Sequence, residues 1–440
     1  MKLFRSIFIC LAVVILLLGG VDTSYATNGY FANGYSVKNK ALAGAGTALP
    51  LDSLAAATNP AGMVWVGKRV DVGLSLFNPN REYTATPSAT GNVKPENIES
   101  DSEWFVIPSL GFNWMMNDNY SLGVSIYGNG GMNTDYDTTT YLSMMSPASS
   151  PTGVDLMQLF IVPTYARKLV PKHAIGLSPV FAFQRFEAKG LEPFLGVSTA
   201  FPTNKLTNQD HDNSYGFGGR IGYLGEIMPG LFLGASYQTK IYMSEYDDYE
   251  GLFAEQGDFD IPASWSAGFA YHLSEPALTF AVDVQQIFYS DVDSIGNSFN
   301  PAFNSCFGAV SMGSSPDTVS HCLGGDDGVG FGWDDITIVK IGVEWQSGPE
   351  WTWRAGYSYG EQPIPNDEVL FNIIAPGVIE HHATAGFTKT IGSNQELSVA
   401  VMHAFSNEVK GKNPLDIADV QTIELKMNQW EYTAGYSWKF

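Results

Sequence analysis

The chain is short of charge, short of cysteine and without long apolar runs once its first segment is passed. Only 15% of its 440 residues are charged, against roughly 25% in an ordinary soluble domain. What charge there is leans acidic, with 23 Lys and Arg against 45 Asp and Glu, a net −22. That deficit of cations excludes nucleic acid as a partner, because phosphate binding needs a surplus of Lys and Arg. Low charge combined with 13% aromatic residues excludes disorder, which needs low hydrophobicity and high net charge. Three cysteines are too few for a disulfide scaffold. Beyond residue 26 no apolar stretch approaches the roughly 20 residues of a spanning helix. The histidines form no His-Glu-x-x-His pair, and the adjacent His381 and His382 point to opposite faces of a strand. No catalytic residues, cofactor or metal site are expected.

What is present begins with an address. Lys2 and Arg5 precede an apolar run from Ile7 to Leu18, and Ser24-Tyr25-Ala26 places small residues at −3 and −1 of a cleavage point. This is the plan of a secretory signal peptide over residues 1–26. Cys10 lies inside the run and leaves with it.

The rest of the chain has the period of strands. Trp265, Ala267, Phe269 and Tyr271 stand two apart, as do Val339, Ile341, Val343 and Trp345, with small or polar residues between them. Fourteen such segments are expected, near 69–78, 104–115, 119–129, 155–168, 172–187, 213–227, 230–243, 261–273, 277–290, 335–347, 350–360, 379–391, 395–405 and 429–440. Most have the 9–11 residues or slightly more with which a tilted strand crosses a bilayer. Tight turns alternate with seven long connections, as expected of a transmembrane barrel with short turns on one rim and long loops on the other. The last strand, Trp430 to Phe440, presents an apolar face every second residue and ends on an aromatic. Eight strands fill their barrel with side chains and sixteen leave an aqueous channel, so fourteen enclose a lumen. The Gly- and Ala-rich stretch 27–68 lacks ten-residue alternation and is expected to fold into that lumen as a plug. The expected fold is therefore an all-β, 14-stranded antiparallel transmembrane barrel over 69–440, stoppered by an N-terminal helical hatch.

Asn28 to Asp52 followed by Asn59-Pro60-Ala61-Gly62, Tyr127-Gly128-Asn129-Gly130-Gly131-Met132, Tyr215 to Arg220, and Trp353-Arg354-Ala355-Gly356 with Pro363-Ile364-Pro365 occur in this order. Together they resemble the FadL/TodX family of outer-membrane transporters of hydrophobic compounds. The resemblance implies a monomer with a three-helix hatch that takes up long-chain fatty acids or hydrocarbons. It also implies an outer groove built by the third and fourth long loops, and a lateral gap opened by an inward kink of the third strand.

On that basis Leu191, Phe194, Leu195, Val197, Phe201, Leu252, Phe253 and Phe259 are candidate capture residues. Gly128, Gly130 and Gly131 are candidates for the kink, with Asn59, Pro60 and Ala61 of the hatch facing it. Counting from Ile175 and Leu177 puts Arg185 on the lipid face, where Arg costs about 2–4 kcal/mol at mid-membrane. A bulge at Pro179 would turn Phe181, Phe183 and Arg185 inward, with Arg185 or Lys189 placed for a carboxylate. Arg220, Asp283, Lys340, Glu344 and Arg354 face the lumen by alternation. Cys306 and Cys322 share one long loop in an oxidising compartment and are expected to be bridged. Asp326, Asp327, Asp334 and Asp335, and Glu245, Asp247, Asp248 and Glu250, read as solvated acidic loops rather than calcium sites. The expected partners are an apolar small molecule, outer-membrane lipid and lipopolysaccharide, and the barrel-assembly machinery. A general diffusion porin is the first rival reading, a surface enzyme or adhesin a more distant one.

Overall fold

The computed structural model describes residues 28–142, 147, 149 and 151–440. The expected signal peptide lies outside the described residues. No described helix is long and apolar enough to cross a membrane.

Fourteen long strands run antiparallel to their sequence neighbours and close on themselves. They are β1 (Arg69–Ala85), β2 (Phe105–Asn117), β3 (Tyr120–Tyr136), β4 (Thr152–Val170) and β5 (His173–Lys189). They continue as β6 (Asp212–Met228), β7 (Leu231–Gln238), β8 (Ser264–Leu273), β9 (Leu278–Ile287) and β10 (Ile336–Gln346). The last are β11 (Trp351–Gly360), β12 (His381–Ile391), β13 (Gln395–Lys412) and β14 (Thr422–Lys439). Pairing of β14 with β1, from Arg69↔Lys439 to Ala85↔Ile423, closes the barrel. Two short strands, Asn97–Glu99 and Tyr242–Met243, pair with β1 and β6 at the loop rim.

The alternation that marks these segments is visible in their burial. In β10 Ile336, Ile338 and Lys340 are buried while Val339 and Ile341 are exposed; an isolated barrel has its lipid-facing residues outside and its lumen residues within. In β1, β5, β13 and β14 this pattern runs well beyond the apolar band. β1 continues past Leu74 and Leu76 with Asn78, Asn80, Glu82 and Thr84 outward, and Arg81 and Tyr83 buried inward. Strands β1, β3, β4, β5, β6, β13 and β14 are 17–19 residues long, whereas β7 to β12 have 8–11. The first, second and last long connections are correspondingly shorter than the sequence suggests.

Residues 28–68 lie inside this ring. They hold one turn of α-helix, Val37–Lys40, and two 3-10 turns, Ala55–Ala57 and Pro60–Val64. Hydrogen bonds tie the segment to opposite walls: Ala43 N donates to Thr384 of β12 at 3.0 Å, Gly46 and Thr47 N to Asp283 of β9 at 2.7 and 2.8 Å, and Ser125 Oγ of β3 to Ser53 O at 2.8 Å. Inward glycines make the room. A Cβ on Gly111, Gly176, Gly222, Gly234, Gly342 or Gly356 would run into Ser53, Pro60, Asn59, Thr47 or Leu42.

Candidate functional site

The wall pairing stops short between β2 and β3; the β4–β5 ladder skips three pairs around Pro163 and Pro179 but keeps its register on both sides. The β2–β3 ladder runs from Asn117↔Tyr120 as far as Ser109↔Tyr127 and ends there, although β2 continues to Phe105 beside β1. On its other side β3 stays paired with β4, but the register slips between Gly128↔Leu159 and Gly130↔Gln158, leaving Asn129 as an extra residue. An extra residue bends its strand, and here three glycines flank the bend. The N-terminal segment takes the place β2 gives up. Phe31 bridges Gly130, Ala32 N donates to Asn129 O at 2.9 Å, and Gly131 N to Tyr30 O at 3.0 Å. A Cβ on Gly130 would press into the Tyr30 carbonyl, so glycine is the residue that lets the two backbones meet. The chain rejoins β3 at the loop rim, where Asp101 N donates to Asp135 O at 2.8 Å. Between these two closures lies a window. Its outer mouth is a crevice of about 490 Å³ lined by residues that include Asp101, Trp104, Phe105, Asn133, Asp155 and His211.

Behind the window is an apolar interior. Tyr30 and Phe31 are buried and pack on Tyr289 and Trp333, with ring centroids 5.1–5.9 Å apart. From there one buried cluster extends into the loops, through Phe259, Phe253 and Phe186 on one side and Phe331, Phe371, Phe299 and Phe194 on the other.

Comparison with known proteins follows this geometry. Residues 20–440 match the family described as Outer membrane protein transport protein (OMPP1/FadL/TodX). The chain belongs to that family. A long-chain fatty acid transport protein of Escherichia coli O6:H1 is 20% identical over 466 residues, covering 100% of this chain and 99% of that protein. The toluene transporter TodX of P. putida aligns with a TM-score of 0.65 at 17% identity, covering 93% of this chain and 99% of that one. A Pseudomonas aeruginosa FadL homologue gives 0.68 at 14%, covering 94% and 100%. These structures share the fold. This FadL/TodX barrel is thus an outer-membrane protein of a family that transports hydrophobic substrates.

Several expected placements are corrected in it. Strand β5 carries no bulge at Pro179: Pro179 faces Gly219 in an unbroken register with β6. Ile175, Leu177 and Phe181 are therefore exposed on the outer face, with Phe183 and Arg185 half-exposed in line with them. Arg185 pairs with Asp155 at 3.5 Å, and Lys189 with Glu187 at 3.1 Å, above the apolar band rather than inside it. The taller strand removes the register problem that the bulge was meant to solve. Leu191, Phe194, Val197, Leu252, Phe253 and Phe259 are buried, Leu195 packs against them half-buried, and Phe201 is exposed; they form a closed core instead of an open groove. Asn59, Pro60 and Ala61 do not face the kink. Asn59 Nδ2 donates to Tyr223 O of β6 at 2.8 Å, and Pro60 lies against Gly176 of β5. The hatch residues at the kink are Tyr30, Phe31 and Ala32.

The inward charges lie where alternation puts them, and they are engaged. Arg354 pairs with Glu344 at 2.7 Å, Lys38 with Glu396 at 2.6 Å and Arg69 with Asp71 at 2.6 Å. Arg220 donates to Ala56 O of the hatch at 2.8 Å and to Tyr127 at 3.0 Å. Cys306 and Cys322 form a disulfide in the loop between β9 and β10. Among the described residues no group of three or more His, Cys, Asp or Glu is arranged to hold a metal ion. The spacing Gly356-x-Ser358-x-Gly360 resembles a nucleophile elbow, and Ser358 Oγ lies 3.2 Å from His382 Nδ1. Both are fully buried on flat strands, and Ser358 also accepts from Asn33 of the hatch at 3.0 Å. An elbow exposes its serine on a strained strand-to-helix turn; this serine anchors the plug.

Proposed function

We propose that the chain takes up apolar small molecules across the outer membrane by passive, ligand-gated diffusion, with residues 27–68 as the hatch and the long connections outside. Water offers a greasy solute no favourable path, since each Å² of apolar surface gains about 25 cal/mol on leaving it. The observation that carries the reading is the continuity of the buried aromatic cluster from the loops to Tyr30 and Phe31, ending at a window in the wall. A solute crosses the loop core, loosens the pairing of Tyr30–Ala32 with β3 and leaves sideways through the wall beside the kink, at the upper edge of the apolar band. Axial passage is opposed by the hatch, which is hydrogen-bonded to opposite walls. Relatives named for long-chain fatty acids and for toluene bracket the substrate class.

The test is Asn133→Trp, at a residue that lines the crevice. Uptake of a fluorescent apolar amine such as N-phenyl-1-naphthylamine by cells whose lipopolysaccharide leaflet excludes it should fall to the level of cells lacking the protein, while the barrel keeps its heat-modifiable electrophoretic mobility. Normal uptake with the window filled would remove the lateral route. A steady ionic conductance of the parent protein in planar bilayers would favour a general porin instead.

A further inference from the structure

The kink at Asn129 is held from the loops by a chain of buried amides. Asn129 Nδ2 donates to Gln158 Oε1 of β4 at 2.9 Å, Gln158 Nε2 to Gln184 Oε1 of β5 at 3.0 Å, and Gln184 Nε2 to the backbone carbonyl of Phe259 at 2.8 Å. All three amide side chains are fully buried. Lateral pairing places Gln158 opposite both Gly130 and Gln184, so the chain runs straight across three strands. At the window end Tyr35 Oη donates to Asn129 Oδ1 at 3.4 Å.

Phe259 also reaches the window by a second path. Its ring packs on Tyr30 at 6.2 Å and on Phe253 at 4.7 Å, and Tyr30 supplies the carbonyl that receives Gly131 N–H. One loop residue is therefore linked to both partners of the seam, to β3 from its carbonyl through Gln184 and Gln158 and to the N-terminal segment directly through its ring. Buried amides that lose a partner bear the full desolvation cost of the orphaned group, so the chain shifts as a unit rather than link by link.

We propose that Asn129, Gln158 and Gln184 are positioning residues that set the β3 kink according to the place of Phe259, so that a solute wedged against Phe253 and Phe259 is registered at the window. This rests on the lateral-exit reading but is tested apart from it. Hydrogen exchange is followed over residues 28–34 and 128–132 of the full chain in lipid vesicles, with and without N-phenyl-1-naphthylamine. In the parent protein the probe should speed exchange at the Ala32 and Gly131 amides roughly fivefold or more, the factor one net hydrogen bond supplies. In Gln158→Leu that response should vanish with heat-modifiability retained. Should Gln158→Leu not fold, Gln158→Glu keeps the acceptor for Asn129 but loses the donor to Gln184, and should abolish the response alike. An unchanged response in either folded variant, or no response in the parent, overturns the proposal. The exchange readout stands even if Asn133→Trp transports normally.

Discussion

The two halves of the barrel wall are built to different heights. From β7 to β12 the strands have 8–11 residues, about 26–37 Å of chain, which a tilted strand needs merely to cross the hydrocarbon. From β13 round to β6 most have 17–19, or about 56–65 Å. The difference shows that outer-face chemistry and strand length are separate variables. On the short side the outer face is apolar or aromatic nearly throughout. On β1, β5 and β14 of the tall side it switches to Asn, Glu, Lys and Arg above a level marked by Leu76, Trp430 and Phe183, while the inner face stays buried and mixes apolar residues with Arg81, Gln158, Gln184 and Gln429. The window and its seam are cut into the tall side, and the disulfide-bridged loop folds in from the short one.

The largest expected effect breaks the contrast between inside and outside on the tall wall. Arg69 donates to Asp71 and Glu396, and Lys38 of the hatch shares Glu396 with it, all of them buried. Arg69→Met leaves two carboxylates under-compensated and should cost about 3–5 kcal/mol, the range for breaking a buried ion pair, read by denaturant unfolding in lipid vesicles. The outward pair Lys410–Glu424 at 3.3 Å on the same wall is exposed, and Lys410→Ala should cost about 0–1 kcal/mol. Equal effects would mean that the hatch network carries no anchoring role.

A second comparison uses one substitution at two heights. Ile341 of β10 is outward and exposed in the apolar band, so Ile341→Arg should cost about 2–4 kcal/mol. Asn80 of β1 is outward too, beside Asn428 at 3.1 Å, but it lies above that band; Asn80→Arg should cost about 0–1 kcal/mol, the figure near an interface. Similar costs at both positions would place the membrane boundary above Asn80 and dissolve the distinction between the walls.

That distinction also explains what was legible in the sequence. The fourteen strands and the alternation of turns and loops stood out because lipid imposes a period-2 apolar face, as in Trp353, Ala355 and Tyr357. Inward charges such as Arg220, Asp283, Lys340 and Arg354 followed from the same count. The upper parts of β1, β3, β13 and β14 did not stand out, because an outer face of Asn, Glu and Lys looks like loop once the hydrocarbon no longer selects it. Arg185 misled for the same reason: its cost was reckoned at mid-membrane, and it stands higher. The three glycines after Tyr127 marked the bend, but nothing local in Tyr30-Phe31-Ala32 says that it completes the wall, since its partner is a hundred residues away. The Phe and Leu residues of the third and fourth loops were legible as apolar but not as closed; whether such rings face out or in is decided by Tyr141, Phe299 and Phe371 from other loops.

The most local effect concerns pH and belongs to the loop that carries Phe259. Burial, and then the neighbouring Asp260 carboxylate, pushes the Asp258 carboxyl up to about 8. Lys240 pairs with Asp260 at 3.1 Å and offsets this only in part. A carboxyl whose folded value lies above its unfolded one stabilises the folded loop fully below about pH 4, and that contribution is lost as pH rises through the folded value. Exchange of the amides in residues 239–263 should therefore quicken between pH 4 and 8 beyond the ordinary chemical dependence, with the barrel strands unaffected. Asp258→Asn should remove the excess and leave the loop as tightly packed at pH 8 as at pH 5. If the parent loop shows no such excess, the carboxyl is already ionised where it sits, and loop and wall respond to pH alike.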